Sequence, residues 1–452
     1  MGRITLEQAA QWCGGKIDPK YKDVVFFGAG NDTRTLKEGQ LFVALSAARD
    51  GHEFIPQAME KGAAAVLCAH CELDIPAIVV EDPRTALGDI ARMERKHRGY
   101  RVVGVTGSVG KSTTKEMLYA ILNTTFVTGK TPANHNNDIG LPMAILGMPE
   151  ETQVVVLEMG MNHFREMAYL SGVAQPDLAV IVNIGTMHME NLGSQEGILQ
   201  AKMEILEGMD PQAPVFLNGD DILLWNSRKS GRLFRSFGRE NTEADLVAED
   251  ALCLCGRITF RVHDGEKSFP VELPVEGEHY ILDALAAISV GLEMGVSVEN
   301  IQKSLQNFQN MEGRQEVLKE KGYTIIKDCY NAGPESMAAA LKVLGHQQGR
   351  KIAVLGDMLE LGVRTQAEHY RVGRLAAEVA DLLLIYGPNG GRVLSGALTG
   401  GLTPERAKTF ETQADMVRSL KRAARPGDVM LFKGSHGMHM EKVLEAFLAD
   451  EK

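Results

Sequence analysis

The stretch VVGVTGSVGKSTTKEMLYAIL, residues 102–122, passes from an apolar run through a glycine-rich turn into a segment with apolar side chains at helical spacing. VVGV (102–105) reads as a buried strand, and Met117, Leu118 and Ile121 mark the inner face of a helix. Between them Thr106, Gly107, Ser108, Gly110, Lys111, Ser112 and Thr113 form a phosphate-binding loop. The first N–H groups of a helix lack partners within it, and the helix dipole adds partial positive charge, so such a turn receives phosphate oxygens. Gly107 and Gly110 let the backbone come close, Lys111 reaches the outer phosphates, and Ser112 offers its hydroxyl to Mg²⁺. The common spacing puts a Gly six residues before the Lys. Here Val105 stands in that place, with Gly104 one residue earlier. The nucleotide reading therefore rests on the strand–loop–helix context together with GKST.

Working outward, VVVLEM (154–159), LAVIV (178–182), KIAVLG (351–356), DLLLIYG (381–387) and DVMLF (428–432) read as buried parallel strands. Helical patterns separate them, which is the signature of an α/β fold with parallel sheets. The 452-residue length allows about three domains. Residues 1–98 hold short strands and helices ending in the basic helix ARMERKHRGYR. Residues 99–312 hold the phosphate loop, with extra β structure at 245–275. Residues 313–452 form a further α/β unit behind the linker NMEGRQE (310–316).

The 48 Lys and Arg against 59 Asp and Glu give a net charge of −11, which argues against nucleic acid or an anionic membrane as partner. A hydrophobic share of 44% can build a sizeable core. No run approaches the roughly 20 apolar residues of a membrane helix. The start, MGRITLEQAAQW, lacks the basic-then-apolar pattern of an export signal, so a cytoplasmic protein is expected. Six scattered cysteines suit reduced thiols. Cys68 and Cys71 form a CxxC around His70, but Cys253 and Cys255 lack the spacing of a second zinc half-site.

Three residues beyond the loop invite chemistry. Glu158 ends an apolar run, placing a carboxylate at the C-terminal edge of a parallel sheet, where Mg²⁺ or a plain turn cap would use it. His188 follows the strand LAVIV in the loop NIGTMHMENLGS, and an ordinary hydrogen-bonded loop histidine fits there too. Lys202 shares a helical stripe with Ile198 and Ile205, so its amine sits on an apolar face. Such a lysine either snorkels to water or is held neutral and becomes carbamylated, giving an anion able to bind a cation.

Taken in order, TGSVGKST, TPANHNNDIGLP (131–142), VVLEMG, NIGTMHMENLGS and AKMEI resemble the Mur ligases of peptidoglycan synthesis over nearly the whole chain. NDTR (31–34) and DGHEFI (50–55) resemble the uridine-nucleotide domain. DCYNAGPESM (328–337), VLGDMLELG (354–362), EHYRVG (368–373) and PGDVMLFKGSHGMHME (426–441) resemble the C-terminal domain of the dipeptide-adding branch. The resemblance implies three-domain Mur ligase architecture: a UDP-substrate domain, a central P-loop parallel-sheet domain and a C-terminal Rossmann-like domain. It implies an ATP-dependent amide ligase using two Mg²⁺ ions: UDP-N-acetylmuramoyl-tripeptide and D-alanyl-D-alanine are joined through an acyl phosphate by a monomer whose outer domains close on the central one.

By position, the resemblance assigns Lys111 to the transferring phosphate, Ser112 and Glu158 to a first Mg²⁺, and His188 and carbamylated Lys202 to a second. Asn134, Asn136 and Asn137 would line the substrate and phosphate cleft. Thr33 and Arg34 would meet the uridine diphosphate, with Asp50, Gly51 and His52 nearby. Asp328, Tyr330 and Asn331 would face nucleotide or amine, Lys433 and Ser435 the cleft edge, and Arg314 would reach ATP after domain closure. The family's HNxxNALAA reads here His279-Tyr280-Ile281-Leu282-Asp283 before ALAA, so Asp283 replaces an adenine-contacting Asn with a group that has no amide donor. A sister ligase adding the third amino acid, and a non-catalytic nucleotide-binding regulator, are the competing readings.

Overall fold

The computed structural model describes residues 2–46, 49–133, 135–228, 231–254, 256–265 and 267–449. The central sheet has nine strands in the order Ser268–Leu273, Arg257–His263, Leu246–Leu254, Phe234–Gly238, Val215–Asn218, Leu178–Ile181, Arg101–Thr106, Val154–Glu158 and Thr128–Lys130. The first three form an antiparallel meander, the β structure expected at 245–275, and the rest run parallel. Arg101–Thr106 lies between strands whose connections run to opposite sides of it. A crevice opens at such a switch point, beyond the carboxyl ends of the strands. Register sharpens the placement: Val105 pairs with Glu158 and Thr106 with Ile181, so the phosphate loop, Glu158 and the loop to His188 leave the sheet at one level.

Helix Lys111–Leu122 buries Met117, Leu118, Ile121 and Leu122. It packs on helix His279–Glu293, where Ala284, Ala287 and Gly291 keep the contact thin; a Cβ on Gly291 would meet Ile121 at 2.8 Å. This close approach carries Asp283 to the phosphate loop. Gly104, one residue before the usual loop position, lies within the strand, and its bare Cα admits Met159, Pro176 and Ile205.

An amino-terminal four-stranded parallel sheet (Ala29–Gly30, Leu41–Val43, Ala65–Cys68, Ala77–Val79) is joined to the central sheet by helix Pro83–Arg98. That helix, read from sequence as ARMERKHRGYR, ends earlier. Gly99 takes a left-handed conformation (φ 64°) that closes it, and Arg101 already belongs to the next strand. Leu87 and Ile90 of this helix are fully buried in a core continuous with Leu141, Ile145 and Leu170 of the central region. Each such side chain contributes about 1.5–3 kcal/mol, so this junction is rigid.

The carboxyl-terminal sheet has the order Glu316–Glu320, Tyr323–Asp328, Val429–Lys433, Lys351–Gly356, Leu382–Tyr386 and Ala407–Phe410, parallel except for its first strand. Its contacts with the central region are largely polar. Thr186 Oγ1 donates to Glu335 Oε1 (2.9 Å), Lys342 Nζ to Glu278 Oε2 (2.7 Å), and Gln347 hydrogen-bonds Glu276. Interfaces of this kind part more readily than a shared core. The carboxyl-terminal unit is therefore the less firmly attached of the two outer units, while the amino-terminal one shares its core with the central region. Among the described residues no helix is long and apolar enough to cross a membrane.

Candidate active site

Helix Lys111–Leu122 starts at Gly110 (φ 82°), and no side chain caps it. Its first N–H groups are therefore left for a ligand. Gly110 is required twice over: the conformation is left-handed, and a Cβ would meet Asp283 Oδ1 at 2.3 Å. The loop is held from behind by Asn183, a residue the sequence reading passed over although it stands in the NIGTMH run. Its Oδ1 accepts from the N–H of Ser108 and of Val109, both at 3.0 Å, and its Nδ2 donates to Val109 O. Ser108 Oγ in turn accepts from Gly185 N–H (2.8 Å). Lys111 Nζ donates to the carbonyls of Gly107 (2.8 Å) and Ser108 (3.2 Å). Loss of hydration lowers its pKa, Glu158 opposes that, and Arg314 adds to it. Ser112 is buried beside it and Thr113 half-buried.

Glu158 is 2% exposed. Asn136 Nδ2 donates to its Oε1 (2.9 Å), while Oε2 is buried without a hydrogen-bond partner. Thr106 Oγ1 shares that condition, as does Glu335 Oε2 on the facing domain. A buried polar atom left without a partner costs about 1–3 kcal/mol, and several around one helix start are what a bound polyanion and its cation would satisfy. A hard oxygen donor beside a phosphate loop fits Mg²⁺.

His188 adopts a left-handed backbone (φ 63°) at the start of the short helix Met189–Leu192. Its Nδ1 lies 3.0 Å from Glu360 Oε2 of the carboxyl-terminal unit, without hydrogen-bond geometry. Burial pushes its pKa down to about 4, and Lys111 and Lys202 push the same way. The ring is thus neutral at pH 7, the form that binds metals. Lys202, 2% exposed, lies between the buried Ile198 and Ile205 as the stripe implied. Burial, then the nearby Lys111, lowers its pKa well below the usual lysine value. No ion pair or hydrogen bond of its amine occurs among the described residues. The burial reading is favoured over snorkelling.

Other assigned residues divide. Asn134 lies outside the described residues. Asn137 is exposed, and its Oδ1 accepts from Gly140 N–H (2.8 Å) at the turn into helix Gly140–Leu146. Thr33 is turned inward, its Oγ1 on Gln57 Oε1 (2.8 Å). Arg34 is exposed and paired with Asp32 at 2.6 Å, which holds that carboxyl at about 2. Asp50 Oδ1 contacts His52 Nδ1 (2.6 Å), and His52 Nε2 accepts from Ala69 N–H while its ring stacks on His70 at 4.2 Å. Both His52 nitrogens are thereby used.

In the carboxyl-terminal unit Asp328 is buried against Lys433 (2.7 Å), which also donates to Asn331 O (3.0 Å). Ser435 Oγ donates to Ala332 O and accepts from Leu359 N–H. These residues pin the loop carrying Tyr330 and Asn331. Asn331 is itself exposed, with Oδ1 on its neighbour's N–H. The Arg314 guanidinium lies 3.9 Å from the Tyr330 ring centroid, and its charge is felt at Lys111 and Asp283. The linker thus places Arg314 close enough to the phosphate loop for its charge to act there.

Asp283 accepts from Thr114 Oγ1 (3.2 Å), and burial raises its pKa to about 7, with Thr114 and Arg314 opposing. Near neutrality it can therefore carry the donor hydrogen that its charged form lacks. The unfolded chain ionises this group near the ordinary aspartate value of 3.8. The folded chain keeps the proton longer, so the stabilisation is full below that pH and fades as pH rises through about 7. Asp283→Asn does not titrate. Its melting temperature is expected to gain on the parent's between about pH 5 and about pH 8, measured by calorimetry at both. An equal difference at the two pH values would contradict the assignment.

These features define a P-loop α/β protein with a cleft fitted for nucleotide phosphates and a divalent cation. Residues 105–291 match the Mur ligase middle domain, and residues 313–436 match the Mur ligase, glutamate ligase domain. A UDP-N-acetylmuramoyl-tripeptide–D-alanyl-D-alanine ligase of Bacillus subtilis (strain 168) is 38% identical over 455 residues, covering 98% of each chain. The crystal structure of MurF from Acinetobacter baumannii superposes with a TM-score of 0.90 at 33% identity, covering 99% of each. MurF ligase from Thermotoga maritima in complex with ADP gives 0.82 at 30% identity over 93% of this chain and 97% of that one. The chain belongs to the Mur ligase family, within its UDP-N-acetylmuramoyl-tripeptide–D-alanyl-D-alanine ligase branch.

Proposed function

We propose that this chain uses ATP to join D-alanyl-D-alanine to UDP-N-acetylmuramoyl-tripeptide, a step of peptidoglycan precursor synthesis. The observation that carries the reading is similarity to ligases of that name across 98% of the chain, amine-side unit included. On this reading residues 1–98 take the uridine nucleotide, 99–312 take ATP, and 313–452 bring the dipeptide and close over the nucleotide. The reaction belongs in the cytoplasm, where its nucleotide substrates are made, and the chain works as a monomer.

A carboxylate is a poor acyl donor, and its approach to a triphosphate brings two anions together. The Lys111 ammonium and the free N–H groups of the loop offset that repulsion as the substrate carboxylate oxygen bonds to the γ-phosphorus and the bond to ADP breaks. The dipeptide amine then adds to the carbonyl of the acyl phosphate. The tetrahedral adduct expels phosphate and loses the amine proton, leaving the amide. Ser112 and Glu158 would hold one Mg²⁺, and His188 with Lys202 a second. Bound there, the ions would supply further neutralisation of phosphate charge. The neutral Lys202 amine can add to CO₂ and release a proton, and the resulting carbamate would replace a repelling cation by an anionic oxygen ligand.

The test is Mg²⁺-dependent phosphate release with UDP-muramoyl-tripeptide, with and without D-alanyl-D-alanine, and the mass of the product. A pentapeptide product formed only with the dipeptide is expected. Turnover with UDP-muramoyl-dipeptide and a free amino acid instead would assign the sister reaction. Silence with both sets would favour a nucleotide-binding regulator.

A further inference from the structure

Lys115 is one helical turn beyond Lys111, and it is among the most deeply buried large side chains in the molecule, 1% exposed. Neither phosphate nor substrate chemistry has been assigned to it. Its Nζ donates to Thr131 O (3.2 Å) and lies 3.3 Å from Glu116 Oε1 and 3.7 Å from Glu158 Oε2. Glu116 is held in turn by Lys130. Thr131 also accepts, through Oγ1, from the Glu158 N–H (2.9 Å). Glu158 is thus gripped at its backbone by Thr131 and at Oε1 by Asn136, while Oε2 faces a cation that is near but makes no hydrogen bond with it.

That last distance matters. A hydrogen-bonded ammonium would occupy the oxygen. At 3.7 Å the charge attracts the carboxylate toward the helix and leaves the Oε2 lone pairs unspent. Without the charge, Glu116 and Glu158 would face each other across a buried gap, and like-charge repulsion would turn Glu158 away from the loop.

We propose that Lys115 is a positioning residue for the divalent cation, holding the Glu158 carboxylate so that one oxygen points free beside the phosphate loop. This rests on the reading of Glu158 as a Mg²⁺ ligand, and the test separates the two claims. Mn²⁺ binding to the full-length protein with ADP is followed by water-proton relaxation enhancement, which distinguishes ion on the protein from ion on free nucleotide. The variants are Glu158→Gln, Lys115→Met and Lys115→Gln, the last keeping a donor for Thr131 O. Glu158→Gln and both Lys115 variants are expected to weaken Mn²⁺ binding at least about tenfold, while ADP affinity measured in EDTA stays within about twofold. Unchanged binding in Glu158→Gln removes the ligand reading and this inference with it. Weakened binding there, but parental binding in a folded Lys115 variant, overturns the Lys115 role alone. Failure of both Lys115 variants to fold would make the residue structural, which also overturns it.

Discussion

Lys111→Ala is expected to lower the rate of phosphate release at least about 10²–10³-fold while leaving the fold intact. The amine is the positive charge of the loop, and its two hydrogen bonds to the Gly107 and Ser108 carbonyls are ones a transferring phosphate could outcompete. The stability side follows from linkage. The folded state lowers this pKa, so it binds the proton less tightly than the unfolded chain does. The charge therefore costs stability, a cost that builds as pH falls from the ordinary lysine pKa toward the folded one and is full below it. The variant should melt no lower than a few degrees below the parent. Single-turnover phosphate release together with a calorimetric scan checks both halves. Activity within tenfold of the parent in a folded variant would remove the loop from the chemistry.

Lys202→Ala should be comparably damaging and, unlike Lys111→Ala, partly reversible. If the buried amine works as its carbamate, an added short carboxylate such as acetate or propionate can enter the space left by the truncated side chain and restore an oxygen ligand. A loss of about a hundredfold is expected, with activity recovering several-fold and saturably as propionate is raised. Lys202→Arg, which places a permanent positive charge there and adds no CO₂, should stay inactive and gain nothing from propionate. Equal activity of Lys202→Arg and the parent would mean that a cation at this position suffices. Recovery of Lys111→Ala by propionate would show that the rescue is not specific to the carbamate site.

Much of this site was legible before any coordinates. Local signals carried it: GKST after an apolar run, Glu158 at the end of VVVLE, and Lys202 on the Ile198–Ile205 stripe. The same stripe argument was available for Lys115, which shares a helix face with Leu118 and Leu122, both buried. Asn183 had a weaker signal, since an Asn after a strand reads as a turn residue. Asn137 carries a turn signal as well as a ligand one: its Oδ1 caps the entry to helix Gly140–Leu146.

By itself the amino-acid sequence determined the α/β class, the parallel strands, the phosphate loop and the family, because each is written in contiguous residues: period, glycine placement and motif order. Tertiary structure alone decided which side chains meet. Register set Glu158 level with Val105. The small-residue contact between two helices far apart in sequence brought Asp283 to Gly110 and raised its pKa to about 7. A core shared by the amino-terminal and central units, which no local window reveals, tied the first to the second, while the carboxyl-terminal unit meets the central region through polar contacts. Protonation states and contacts depend on burial and on charges hundreds of residues away, so they exist only once the chain has packed.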